Sequence, residues 1–141
     1  MRKIIVSINI TLDGFIAGQD GELDWHFDYW DKEMAKFASE QLADADTILL
    51  GSVTYKAMSR FWPSKAMDLS YPREDIAFAD MMNGYEKIVF SKSLKDVEWN
   101  NSRLVRRGIG REILKLKQKT GKNIIIYGSE SIVSALHRLG L

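Results

Sequence analysis

Apolar and polar positions along this 141-residue chain alternate between short β-branched runs and stretches with helical periodicity. The four runs are Val6–Ala17, Thr47–Tyr55, Lys87–Ser91 and Asn123–Ser131, and each gives way to Gly, Ser or Thr. A parallel strand buried on both faces reads as a continuous apolar run. The pattern therefore predicts strands over Lys3–Leu12, Thr47–Leu50, Lys87–Ser91 and Asn123–Tyr127, with short strands at Val97–Trp99 and Arg103–Val105. Helices are predicted over Asp31–Ala43, Ser52–Phe61, Glu74–Asn83, Gly110–Lys119 and Glu130–Leu139. The first puts Met34, Phe37, Ala38 and Leu42 on one face, and Gly84, Gly121 and Gly140 act as stops. Asp13-Gly14 and Gly18–Gly21 mark a mobile loop, and Pro63 and Pro72 bracket a surface loop. Strands alternating with helices imply an α/β fold with a mostly parallel sheet and right-handed crossovers.

Composition adds limits. The chain is 45% apolar and 28% charged, ordinary for one globular domain over residues 1–141. A net charge of +1 gives no general reason to expect nucleic acid or a membrane surface. With no cysteine and two distant histidines, His26 and His137, no metal site is expected. The absence of cysteine fits a reducing compartment, and a cytoplasmic location is expected. Ser7, Asn9, Thr11 and Asp13 break the apolar start that would otherwise imitate a signal peptide.

The second and fourth runs lead straight into helices. A helix N-terminus at the carboxyl edge of a parallel sheet presents unpaired N–H groups that attract phosphate. Gly51, Ser52, Val53 and Thr54 form one such turn, and Gly128, Ser129, Glu130 and Ser131 the other. The competing reading is an ordinary strand-to-helix turn in each place, with Ser52 or Ser129 as N-cap. Two such turns in one sheet favour a nucleotide or cofactor binder.

The chain resembles the dihydrofolate reductase fold from its first strand to its last residue. The motifs are Ser7-Ile-Asn-Ile-Thr-Leu-Asp-Gly-Phe-Ile-Ala17, Leu50-Gly-Ser-Val-Thr-Tyr55, Ser91-Lys-Ser-Leu94 and Tyr127-Gly-Ser129. Their order and spacing are most similar to the reductase domain of the bifunctional riboflavin-biosynthesis deaminase/reductase and its stand-alone relatives. The resemblance implies an NAD(P)H-dependent reductase of a small heterocycle, using NADPH or NADH. The two Gly-led turns would then hold the dinucleotide phosphates. Ser91 and Lys92 would lie beside its adenosine end, and Asn9 with the Ile16 and Ala17 backbone would fix the nicotinamide carboxamide. Substrate would sit near Asp13 and Trp25, with Asp28 as the acid that assists protonation. The competing reading of Asp28 is an N-cap for the helix that follows.

Three departures qualify the resemblance. Related reductases carry a basic residue directly after the glycine of the second motif, for the 2′-phosphate of NADPH, where this chain has Ser52. Lys56, Arg60 or Lys92 are the candidates to replace it. Glu130 puts a carboxylate in a turn that should hold pyrophosphate. The family continues with further strands after its last helix, whereas this sequence stops at Leu141, so an open sheet edge and a homodimer to cover it are expected. The alternative function is a non-catalytic binder of a nucleotide or small ligand on the same fold.

Overall fold

A computed structural model describes residues 1–20, 22, 24–68, 70 and 72–141. Five strands form one sheet: β1 (Ile4–Ser7), β2 (Ala45–Gly51), β3 (Glu86–Phe90), β4 (Ser102–Val105) and β5 (Asn123–Tyr127). Their order is β1-β5-β2-β3-β4, and every pairing is parallel. Helices α1 (Lys32–Ala43), α2 (Ser52–Lys65), α3 (Arg73–Gly84), α4 (Ile109–Gln118) and α5 (Glu130–Arg138) flank it, with a 3-10 helix at Asp24–Tyr29. The expected α/β sheet is present, and all four predicted runs lie side by side in it.

Alternation along the strands builds two cores. Ile48, Leu50, Val89 and Ile125 face Leu42, Tyr55 and Met82 of α1, α2 and α3. Leu49, Ile88, Ile124 and Ile126 face Ile113 and Leu116 of α4 and Ile132 and Leu136 of α5. The middle apolar residues of the central strands, Ile48–Leu50, Ile88–Val89 and Ile124–Ile126, are fully buried, and each such side chain contributes roughly 1.5–3 kcal/mol of transfer free energy. The amino edge is closed by Arg2, which pairs with Asp46 and donates to Thr47 Oγ1 (2.8 Å) and the Lys122 carbonyl (2.6 Å).

Several boundaries differ from the sequence expectation. The first strand is four residues, not Lys3–Leu12. β1 is an edge strand bonded only to β5, and β5 ends where Gly128 turns away at φ 59°. The Gly128 N–H closes on the Ser7 carbonyl (3.1 Å), so residues beyond Ser7 have no ladder to join. Helix α2 runs through Pro63 to Lys65, because Pro63 falls in its last turn and removes one intrahelical bond there. Helix α3 starts immediately after Pro72. Val97–Trp99 is not a strand: the Glu98 and Trp99 N–H groups donate to the Tyr55 hydroxyl (2.9 and 3.0 Å) instead of to a neighbouring strand. The loop expected at Gly18–Gly21 and the one between Pro63 and Pro72 include Gly21, Leu69 and Tyr71, which lie outside the described residues. No helix among the described residues is long and apolar enough to cross a membrane.

Candidate functional site

Parallel strands put all five strand exits on one edge. From β1 and β2 the chain departs toward the α1–α3 face, whereas from β5, between them, it departs toward the α4–α5 face. Connections leaving in opposite directions open a crevice at the carboxyl edge. The N-termini of α2 and α5 both border it.

Their turns touch. Gly51 precedes α2 with φ −82° and ψ 170°, ordinary extended backbone. A Cβ there would lie 2.4 Å from Ser129 Oγ and 3.3 Å from Ser129 Cβ. Glycine is required at this point by space, not by dihedral angle. Gly128 and Ser129 both take left-handed angles, φ 59° and 57°. A Cβ on Gly128 would sit 3.4 Å from Thr54 Oγ1. Serine in this region is strained by roughly 1 kcal/mol or more.

Neither helix start is capped by a side chain. The N-cap of α2 is Gly51, so Ser52 is its first helical residue and not its cap. Ser129 occupies the N-cap position of α5, but its hydroxyl lies 3.5 Å from Ser131 Oγ and does not cap the helix. Ser129 thus holds the expected N-cap position and Ser52 does not, and neither serine makes a capping hydrogen bond. Among the described residues no side chain accepts from the first N–H groups of these two helices, which stand beside one crevice and suit an anion. Val53 is exposed on the first turn of α2, and Glu130 and Ser131 are exposed on α5.

Asn9 follows β1 by two residues, and Ser7, which ends β1, accepts from the Gly128 N–H. A tight turn follows, in which Gly14 N–H and Phe15 N–H donate to the Thr11 carbonyl and Oγ1 (2.9 Å each). Asp13 is exposed at its tip. Trp25 Nε1 donates to the Ile16 carbonyl (3.4 Å), which joins the 3-10 helix to the segment carrying Ile16 and Ala17. His26 bridges Trp25 and Trp30 by edge contacts at 5.6 and 5.8 Å. Asp28 is exposed on the 3-10 helix. Asp31, not Asp28, caps α1, accepting from Met34 N–H at 2.8 Å. No hydrogen bond or ring contact among the described residues joins Asp28 to the crevice. Ser91 closes the turn after β3, its hydroxyl accepting from Ser93 and Leu94 N–H (3.2 and 3.1 Å), and Lys92 is exposed at that turn.

Residues 2–141 match the model of the RibD C-terminal domain family. The chain belongs to that family. It is 31% identical over 140 residues to "Uncharacterized protein YyaP" of Bacillus subtilis (strain 168), covering 99% of this chain and 70% of that protein. "Uncharacterized protein YwjB" of the same organism is 28% identical over 133 residues, covering 94% and 67%. Two solved structures share the fold. One is a "Putative riboflavin biosynthesis protein" from Shewanella sp. PV-4 (TM-score 0.64, 21% identity, 100% of this chain and 72% of that one). The other, from Thermotoga maritima, is a diaminohydroxyphosphoribosylaminopyrimidine deaminase/5-amino-6-(5-phosphoribosylamino)uracil reductase (TM-score 0.60, 15% identity, 98% and 42%).

Tyr127, the last residue of β5, turns toward the α1–α3 face. Its hydroxyl is buried with no hydrogen-bond partner among the described residues. Burial, with the Tyr85 phenol as a lesser influence, pushes its pKa above the ordinary tyrosine value, so it stays a neutral donor. A buried unmatched hydroxyl costs about 1–3 kcal/mol. Tyr127→Phe is expected to raise stability by about 1 kcal/mol in urea unfolding. A loss of stability would show that the hydroxyl has a partner.

Proposed function

We propose that this RibD C-terminal domain is an NAD(P)H-dependent reductase of a small heterocyclic compound. The observation that carries the reading is the pair of uncapped helix N-termini that meet at Gly51 and Ser129 beside one crevice. The donor set fits a dinucleotide pyrophosphate: backbone N–H groups of Ser52–Thr54 and Glu130–Ser131, with the Ser52, Thr54 and Ser131 hydroxyls. Bound there, the cofactor would supply the hydride. The chain's own work is positioning. Asn9, two residues past the end of β1, and the Ile16–Ala17 backbone would orient the nicotinamide. Trp25 and Asp13 would border the substrate, and Asp28, exposed as it is, would act on a proton only once substrate excludes water around it. A homodimer is part of the proposal: Phe15, Phe27, Tyr29 and Phe37 are each more than 60% exposed and call for cover.

Titration with NADPH and NADH, then absorbance at about 340 nm with pyrimidine and pterin acceptors, tests the reading; a reduced nicotinamide is the hydride donor. Glu130→Gly supplies a second arm. Removing a like charge from the first turn of α5 should tighten dinucleotide binding about tenfold at low salt, an effect that shrinks as salt rises. Dinucleotide binding without turnover of any acceptor would favour the alternative, a ligand-binding protein on this fold, for which the exposure of Asp28 speaks. No binding of either cofactor would refute both the pyrophosphate site and the reductase.

A further inference from the structure

A second concavity lies away from the two Gly-led turns. Helices α2 and α3 and the segment joining β3 to β4 enclose a groove of about 740 Å³, and no residue of Gly51–Thr54 or Gly128–Ser131 lines it. That volume is in the range of small-molecule sites, about 300–1,000 Å³. Tyr55 and Trp99, 6% and 5% exposed, are its aromatic part, and Pro63, Ala66 and Met67 its apolar part. The parts are fastened to one another. The Tyr55 hydroxyl accepts from the Glu98 and Trp99 N–H groups (2.9 and 3.0 Å). Trp99 Nε1 donates to Asn83 Oδ1 on α3 (2.7 Å), and Asn83 Nδ2 donates to the Trp62 carbonyl on α2 (3.0 Å). The groove is therefore held in shape by the fold, as small-molecule sites usually are.

Two observations say what it can hold. A phenol has one proton to donate besides its lone pairs. The Tyr55 hydroxyl accepts twice and donates to no acceptor among the described residues, so one buried donor is left for a ligand. The charges that line the groove are also unspent. Arg60 on α2, and Asp96 and Glu98 between β3 and β4, form no ion pair among the described residues, with each other or with any third group. Arg60 is eight residues past Ser52, about 12 Å along the helix, so it serves this groove and not the start of α2. A guanidinium and two carboxylates that line one groove without pairing set up a field across it. A polyanion would meet the carboxylates and a polycation the guanidinium, and each is disfavoured. A ligand carrying one charge of each sign is matched.

We infer that this groove binds an aminocarboxylate zwitterion with an apolar or aromatic side chain, as a free α-amino acid or a short peptide. Arg60 takes the carboxylate, for which its planar fork is suited. Asp96 and Glu98 take the ammonium. Pro63, Ala66, Met67 and Trp99 cover the side chain, and the Tyr55 O–H donates to a carboxylate or carbonyl oxygen of the ligand. The inference stands apart from the dinucleotide reading, because the groove shares helix α2 with the crevice but none of its Gly-led turns.

Calorimetric titration of the whole chain at neutral pH and low salt tests it, with L-phenylalanine, phenylalanyl-phenylalanine, phenylethylamine and phenylpropionate. The last two probes each lack one of the two charges. The expected result is that at least one zwitterion binds with a Kd of about 1 mM or tighter, and that both singly charged probes bind at least about fivefold more weakly. The tighter of the two zwitterions tells whether the source is a free amino acid or a peptide. Arg60→Gln should abolish the preference for the zwitterion over phenylethylamine and keep the preference over phenylpropionate. Asp96→Asn combined with Glu98→Gln should do the reverse. All three side chains are exposed, so the melting temperature reports that these variants fold as the parent does. No binding of either zwitterion at about 10 mM would overturn the inference. So would equal affinity for all four probes, which is the signature of an apolar groove blind to charge, or preferences that survive both variants.

Discussion

Replacing Lys87 with methionine is expected to cost roughly 2–4 kcal/mol and lower the melting temperature by on the order of 10 °C. Lys87 is wholly buried in β3. Its ammonium folds back onto the end of α3 and donates to the carbonyls of Met82 (2.8 Å), Asn83 (3.0 Å) and Tyr85 (2.8 Å). It also lies 4.5 Å from the centre of the Trp99 ring. The last carbonyls of a helix have no intrahelical partner, and a cation there is further favoured by the helix dipole. Methionine keeps the volume but leaves three buried carbonyls unmatched. Trp99 would loosen too, because its Nε1 donates to Asn83 Oδ1 (2.7 Å) in the same turn.

The pH dependence gives a second readout. Burial pushes the Lys87 pKa down from 10.5 to about 8, while the three carbonyls and the Trp99 face act the other way, holding the charge. With a folded pKa of about 8, the unfolded chain carries the extra proton between pH 8 and 10.5. Stability of the parent should then rise across that window relative to Lys87→Met, because the cost of burying the charge is fully present below pH 8 and is lost above it. Chemical unfolding at pH 7, 8.5 and 10 measures the difference. A difference that instead shrinks with pH would mean that the carbonyls outweigh burial and that the folded pKa exceeds the unfolded one.

Lys87 also shows where the sequence stops being informative. It begins the third apolar run, so its strand was legible, but nothing local distinguishes it from a solvated strand-end lysine. Its role depends on α3 ending beside the start of β3. The same holds for Trp99, which reads as part of a strand and is in fact fixed by the Tyr55 hydroxyl and Asn83. Strands β2, β3 and β5 were legible because both faces are buried, which makes Ile48–Leu50, Ile88–Val89 and Ile124–Ile126 continuous in the sequence. β1 was overread, since the apolar positions Ile10, Leu12 and Phe15 lie beyond the sheet and stay exposed. In the site, both Gly-led turns were legible from composition and order. That they border one cleft follows from both ending central strands; that Gly51 touches Ser129 was not legible, because that contact depends on β5 inserting directly beside β2. The 3-10 helix at Asp24–Tyr29 has no strong periodicity to announce it, so Asp28 could be placed only by analogy.

Substituting Gly51 with valine is expected to weaken dinucleotide binding by at least about a hundredfold while leaving the sheet intact, with a stability loss of about 1–3 kcal/mol from overpacking. The glycine's backbone angles suit any residue, so no dihedral strain enters the argument. The side chain would instead strike Ser129, whose Cβ and Oγ lie 3.3 and 2.4 Å from the first added carbon, and would approach Ile132 Cδ1 at 3.9 Å. Ser129 Oγ can rotate away, but its Cβ moves only with the turn that starts α5. The two helix N-termini would separate, and their N–H groups would no longer converge on the proposed pyrophosphate site. Gly51→Ala is the milder form, and pairing it with Ser129→Gly removes both colliding atoms. In a double-mutant cycle the pair should recover most of the affinity lost by Gly51→Ala, a coupling expected only of residues in contact. Binding titrations for the parent, both single variants and the double variant measure it. Additive losses would show that Gly51 serves the cofactor by its own close approach and not by holding the α5 turn in place. Unchanged affinity in Gly51→Val, with the fold confirmed by circular dichroism, would remove this crevice as the dinucleotide site.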